Sequence, residues 1–352
     1  MPTTPLAKRG FFLYNNIMFE NLFGKRYDFI AIGETTIDAF IRLQEASVDC
    51  DKNGENCRLS IQYGTKIPYE FVVEVPAVGN AANASVAGSR LGAKSALVAN
   101  IGKDRNGQTC LDSLQKDGVS TEFIQICKDK TTNYHYVLWF KDDRTILQKH
   151  SDFDYKFPNI GEPRWIYLTS LGEKSLGLHQ QIAEFLKKHP AVKMAFQPGI
   201  FQIKMGYEKL RDIYENASIV FCNKEEAATI VNIPTTDIKT LAVALHGKGS
   251  KTVVITDGPK GAYAYDEGKL YFIPPYPDPK PPYDRTGAGD AFSSTFAVAR
   301  MMGKSVEEAL MWAPINSMSV VQEIGAQKGL LSQTQIMDYL KRAPADYQVK
   351  II

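Results

Sequence analysis

Asp290 is preceded by Gly287, Ala288 and Gly289 and followed by an apolar run, residues 292–302, that ends at Gly303. Small residues let backbone approach an anion closely. The first turn of a helix adds N–H groups without intrahelical partners and about half a positive charge from aligned peptide dipoles. The spacing therefore predicts an anion hole with a carboxylate base beside it, an arrangement suited to phosphate chemistry. Asp284 opens the same segment, and Arg285 follows it. Elsewhere, Asn223 and Glu226 stand three apart after an apolar run. That pair suits either a helix cap or a carboxylate near a hydrated divalent ion. Thr256, Gly258 and Gly261 form a second glycine-rich turn, and Asp38 follows the first apolar run, where it could accept two hydroxyl hydrogen bonds. GxxxxGK[ST] is absent and no GxGxxG follows the first strand, which argues against P-loop NTPases and dinucleotide dehydrogenases.

These residues need rigid elements to hold them. Residues 27–32, 96–101, 165–169, 192–196, 218–222 and 252–256 read as strands buried on both faces. Between most of them lie helical stretches, residues 80–91, 106–116, 176–189, 207–214, 224–231 and 238–247. The alternation predicts an α/β fold, a doubly wound, mostly parallel sheet flanked by helices, with ligands beyond the carboxyl ends of the strands. Two β-type insertions, about residues 40–76 and 122–150, are expected to pair into a small lid sheet that excludes water. Ser305 and Glu308 fit a capping box, Pro314 is expected to break or kink the helix they start, and a further stretch runs to Gly325. Residues 1–26 read as an extension and 27–352 as one domain.

At 352 residues, 44% hydrophobic and 23% charged, the chain reads as a soluble globular protein. A net charge of +2 shows no basic excess for nucleic acid, and no apolar run is long enough to span a membrane. Five cysteines without CxxC spacing suggest neither a disulfide framework nor a zinc knuckle, and so a reduced, cytoplasmic setting.

Two separated patterns together carry a family resemblance. The first is Gly79, Asn80, Asn83 and Ser85 with Gly92 and Gly102; the second runs from Asp284 through Gly287 and Gly289 to Asp290. The chain resembles the ribokinase-type (PfkB) carbohydrate kinases from about residue 27 to 331. The resemblance implies ATP-dependent phosphorylation of a hydroxymethyl group, with Asp290 as base and the backbone of Gly287, Ala288 and Gly289 holding the transferring phosphoryl group. It implies a substrate rim of Asp38, Gly79, Asn80 and Asn83. Nucleotide contacts are implied at Asn223, Thr256, Gly258, Gly261, Asn316, Gly325 and Ala326. Glu226 would act on Mg2+ through water, and Asp284 would lie beside a possible K+ site. A sugar is the first acceptor reading and a nucleoside the alternative; the intact Asp290 turn argues against a non-catalytic sugar sensor. The resemblance also implies a possible homodimer through the lid. Val78, Arg285 and Thr295 depart from the family pattern.

Overall fold

The computed structural model describes residues 26–51, 57–141 and 143–352. Most of the proposed extension lies outside the described residues. The apolar runs become strands because both of their faces can be covered. In β1 (Phe29–Ile32), Phe29 and Ala31 enter one core while Ile30 and Ile32 enter the other. Beside it stand β6 (Ser95–Gly102), β7 (Ile124–Cys127), β10 (Trp165–Leu168), β11 (Lys193–Phe196), β12 (Ile219–Asn223) and β13 (Thr252–Thr256), all parallel. The antiparallel strands β14 (Ala262–Asp266), β15 (Lys269–Ile273) and β16 (Lys350–Ile351) complete a ten-stranded sheet, ordered β16-β15-β14-β13-β12-β11-β10-β1-β6-β7.

Helices cover both faces. They are α1 (Asn80–Arg90), α2 (Arg105–Lys116), α3 (Leu176–Lys188), α4 (Ile200–Met205), α5 (Tyr207–Asn216), α6 (Lys224–Val231), α7 (Ile238–His246), α8 (Ala288–Met301), α9 (Val306–Val320) and α10 (Gln333–Lys341). A second sheet, ordered β5-β2-β8-β9, forms the lid from β2 (Thr36–Leu43), β5 (Tyr69–Val78), β8 (Asn133–Phe140) and β9 (Asp143–Leu147). It is mixed: β2 runs antiparallel to β5 and parallel to β8.

Several expectations are corrected. The run around Ile124 was expected in the lid, but β7 pairs with β6 at the edge of the main sheet. The lid also starts at Thr36 rather than residue 40, so Asp38 lies on a lid strand. Pro314 does not end its helix, and α9 continues through it to Val320. A single proline removes one hydrogen bond, a loss outweighed here by burial of Trp312, Ile315 and Met318 on the same helix. The helix carrying Asp290 begins at Ala288, four residues earlier than the apolar pattern indicates, because Gly287 caps it in the left-handed region at φ 78°.

Cysteine pairing is also corrected. Cys50 and Cys57 form a disulfide, while Cys110, Cys127 and Cys222 are free. The cause is local topology. β3 (Ser47–Asp49) and β4 (Arg58–Ser60) pair with Asp49 opposite Arg58, which brings the two flanking thiols together. Among the described residues no helix is long and apolar enough to cross a membrane.

Candidate active site

Asp290 sits in the first turn of α8, buried at 8% exposure. A buried carboxylate needs donors, and three side-chain amides supply them. Asn80 Nδ2 donates to Oδ1 at 2.8 Å, Asn83 Nδ2 to Oδ2 at 2.8 Å, and Gln197 Nε2 to Oδ1 at 3.3 Å. Burial pushes the Asp290 carboxyl above its ordinary value, while the amides of Asn83, Asn80 and Gln197 pull it back. The amides are themselves fixed. Gln327 donates to Asn83 Oδ1 at 3.0 Å, and the buried Tyr167 hydroxyl donates to Gln197 Oε1 at 2.5 Å. Asn80 opens α1, directly after Gly79, whose φ of +100° and close approach to the Glu34 carbonyl tie α1 to the loop following β1. The neighbouring Ala77 also has positive φ, 56°, just before Val78, so the unusual backbone at this junction is shared between Gly79 and a non-glycine residue.

The turn before Asp290 is held from outside. Asp284 Oδ1 accepts hydrogen bonds from Thr286 N at 2.9 Å and Thr286 Oγ1 at 2.6 Å, and its Oδ2 accepts one from Gly325 N at 2.8 Å. Ala326 packs so closely on Gly287 that a Cβ on the glycine would lie 2.2 Å from that of Ala326. Gly325 and Ala326 thus buttress the turn. Arg144 of β9 places Nε 3.9 Å from Asp284 Oδ1, and Trp139 of β8 meets Tyr283 edge to face at 5.0 Å. The lid is therefore fastened to two successive residues of this segment.

On the other side of the turn lies a cleft of about 390 Å³. Thr256, Gly258, Gly261, Ala288 and Gly289 line it, with Tyr276, Phe292 and Met318 among its apolar residues. Arg285 also faces this cleft. A Cβ at Gly289 would meet nothing within 4 Å, so the backbone there is open to a ligand. The cleft suits a planar base and a phosphate chain reaching the start of α8.

Asn223 and Glu226 form a reciprocal capping box at the start of α6, with Asn223 Oδ1 accepting from Glu226 N at 2.7 Å and Glu226 Oε2 from Asn223 N at 2.9 Å. Burial raises the Glu226 carboxyl, and the charge of Asp290 pushes it the same way, so the two acids share one field. Asn316 does not reach the cleft: its Nδ2 donates to Thr295 Oγ1 at 2.7 Å and its Oδ1 accepts from Leu331 N at 2.9 Å. The adjacent Ser317 lines the cleft instead. Asp38 is 7% exposed, its Oδ1 lying 3.3 Å from His135 Nδ1.

Sequence reasoning missed Gln197, a lone polar residue without a spacing signature, so only its place just past the end of β11 could have pointed to it.

The site suggests a class before any comparison: a helix-terminal carboxylate beside a glycine-lined cleft and a lid suits phosphoryl transfer. Residues 43–333 match the pfkB family carbohydrate kinases, and the chain belongs to that family. It is 26% identical over 299 residues to a ribokinase of Haemophilus influenzae, covering 81% of this chain and 95% of that protein. To a nucleoside kinase of Methanothermobacter thermautotrophicus it is 24% identical over 315 residues, covering 86% and 92%. Its fold matches the structure of Arabidopsis thaliana ribokinase complexed with ribose and ATP at a TM-score of 0.74 and 21% identity, covering 90% of this chain and 99% of that one. In class the protein is an ATP-dependent kinase of a sugar or nucleoside.

Proposed function

We propose that the protein transfers the γ-phosphate of ATP to a hydroxymethyl group of a sugar or sugar derivative, with Asp290 as general base. The observation that carries this reading is the Asp290 carboxylate, buried at the start of α8 and aimed by three amides, directly after Ala288 and Gly289, which line the cleft. Asp290 takes the hydroxyl proton as the acceptor oxygen bonds to the γ-phosphorus, and the bond to the bridging oxygen breaks to release ADP. The backbone of Gly287, Ala288 and Gly289 meets the charge on the transferring group, which at a helix terminus needs no reorganisation. Asn80 and Asn83 aim the base, and Asp38 and Gly79 form the acceptor rim beside it.

Thr256, Gly258 and Gly261 would hold the nucleotide. Asn223 acts here through the cap that fixes Glu226. Glu226 fits Mg2+ held through water and phosphate oxygens, since that ion takes few protein carboxylates and keeps its hydration. Magnesium, when bound, supplies neutralisation of phosphate charge. The donor set fits K+ poorly. Both Asp284 oxygens already accept hydrogen bonds and Arg144 provides the neighbouring positive charge, so the proposal includes ATP and Mg2+ but no K+.

A nucleoside acceptor is the second reading, favoured by the nucleoside kinase similarity and by the His150–Phe201 ring pair at 5.7 Å. The lid aromatics do not favour it. Tyr134 donates to Glu74, and Trp139 packs against Phe71 and Tyr283. The test is ATP consumption with a panel of sugars and nucleosides, followed by product analysis. Tight acceptor binding without turnover of any panel member would sink the kinase reading.

A further inference from the structure

Residues 325–327 touch both halves of the reacting site. Gly325 N donates to Asp284 Oδ2 at 2.8 Å and Ala326 packs on Gly287, so two of the three hold the turn before α8. The third, Gln327, turns toward the base. It is 5% exposed, and its Nε2 donates to Asn83 Oδ1 at 3.0 Å and to the Ala77 carbonyl at 2.7 Å. Asn83 Nδ2 in turn donates to Asp290 Oδ2 at 2.8 Å. The lid strand β5, which carries Ala77, also meets this segment: a Cβ on Gly325 would lie 3.2 Å from Val75 Cγ2.

This chain of donors has one direction. A backbone carbonyl can only accept, so the Ala77 oxygen requires the nitrogen end of the Gln327 amide to face it. That nitrogen has two hydrogens, and the second goes to Asn83, which must then present its oxygen to Gln327 and its nitrogen to Asp290. With the Asn83 amide turned over, an oxygen would face the carboxylate and an N–H2 group would face another. Both contacts would join like groups in a buried place, where unpaired polar atoms are costly. Gln327 thus orients the amide that orients the base.

Gln327 is held through its backbone as well. Its carbonyl accepts from Arg90 Nη1 at 2.6 Å and from Leu330 N at 3.0 Å. Arg90 also reaches the Leu330 carbonyl at 3.2 Å, and its Nη2 pairs with Asp117 at 2.8 Å. Asn83 and Arg90 stand about two turns apart on α1, hence on one face, so the helix grips the segment at two points. Helix, segment and turn are thereby held in one register, with Asp290 and the Gly287 turn at a fixed separation.

We propose that Gln327 is a positioning residue for phosphoryl transfer: it fixes the polarity of the Asn83 amide and so the aim of Asp290, acting through Asn83 rather than on either substrate. The inference rests on the kinase reading for its chemistry, but its test separates the two. Gln327→Met removes both donated hydrogen bonds at similar side-chain length. In the full-length protein kcat should fall about tenfold, the worth of one hydrogen bond to a charged group, with the KM for ATP unchanged. The Asp290 carboxyl, followed by infrared or carbon NMR titration of aspartate-labelled protein and assigned by its loss in Asp290→Asn, should titrate at higher pH, because its ionised form loses support. In an Asn83→Ala background the same substitution should lower kcat by less than about threefold, since the chain is already cut. Thermal melts check folding; if Gln327→Met melts early, Gln327→Asn, neutral but too short to reach both acceptors, carries the same test. An unmoved Asp290 titration or an undiminished kcat in the folded variant would overturn the proposal, as would a tenfold loss that persists in the Asn83→Ala background. A raised titration in a protein that phosphorylates no acceptor would support the positioning of Asp290 and strike only the kinase reading.

Discussion

At the residue scale, Asp290 carries two opposed influences, burial that disfavours its charge and amides that favour it. Replacing it with asparagine removes proton acceptance while keeping shape, so kcat should fall by about a hundred to ten thousandfold with nucleotide and acceptor binding retained, as single-turnover and calorimetric measurements would register. A base works only when ionised. Its carboxyl is raised in the fold, so activity should be lost as pH falls through a value above the ordinary aspartate value of about 3.9. Asn83→Ala deletes a hydrogen bond to the ionised form and should move that acid limb of the pH–rate profile to still higher pH; a shift downward would contradict the assignment.

At the element scale, the start of α8 depends on close packing. Gly287→Ala would place a methyl group 2.2 Å from the Cβ of Ala326 at a φ of +78°. Chemical denaturation should show a loss of at least about 2 kcal/mol, with overpacking and left-handed strain acting together. The lid is a separate element tied to the same segment through Trp139–Tyr283 and Arg144–Asp284. Arg144→Met should lower transfer severalfold and raise ATP hydrolysis without acceptor, since a loosened lid admits water. Added guanidinium should recover part of the lost transfer, whereas an effect confined to stability would not respond.

At the scale of the whole molecule, the lid sheet leaves apolar surface outside. Tyr136 is 48% exposed and its cross-strand partner Leu147 is 50% exposed. The lid-to-lid homodimer that the family resemblance implies would cover them. Sedimentation should find a dimer that Tyr136→Glu converts to monomer; a wild-type monomer across micromolar concentrations would contradict that implication.

The sequence alone determined the alternating parallel core and the glycine turn before Asp290, because these depend on local periodicity and caps. Tertiary structure decided what depends on distant segments meeting. Gln197 reaches Asp290 only because β11 ends beside α8, and β7 leaves the lid only because β6 offers it an edge. The Cys50–Cys57 bond needs the β3–β4 register, and Arg144 faces Asp284 only with the lid in place. Local pattern fixes which residues can do chemistry. The packing of separated strands decides which partners hold them, since those contacts leave no trace in sequence spacing.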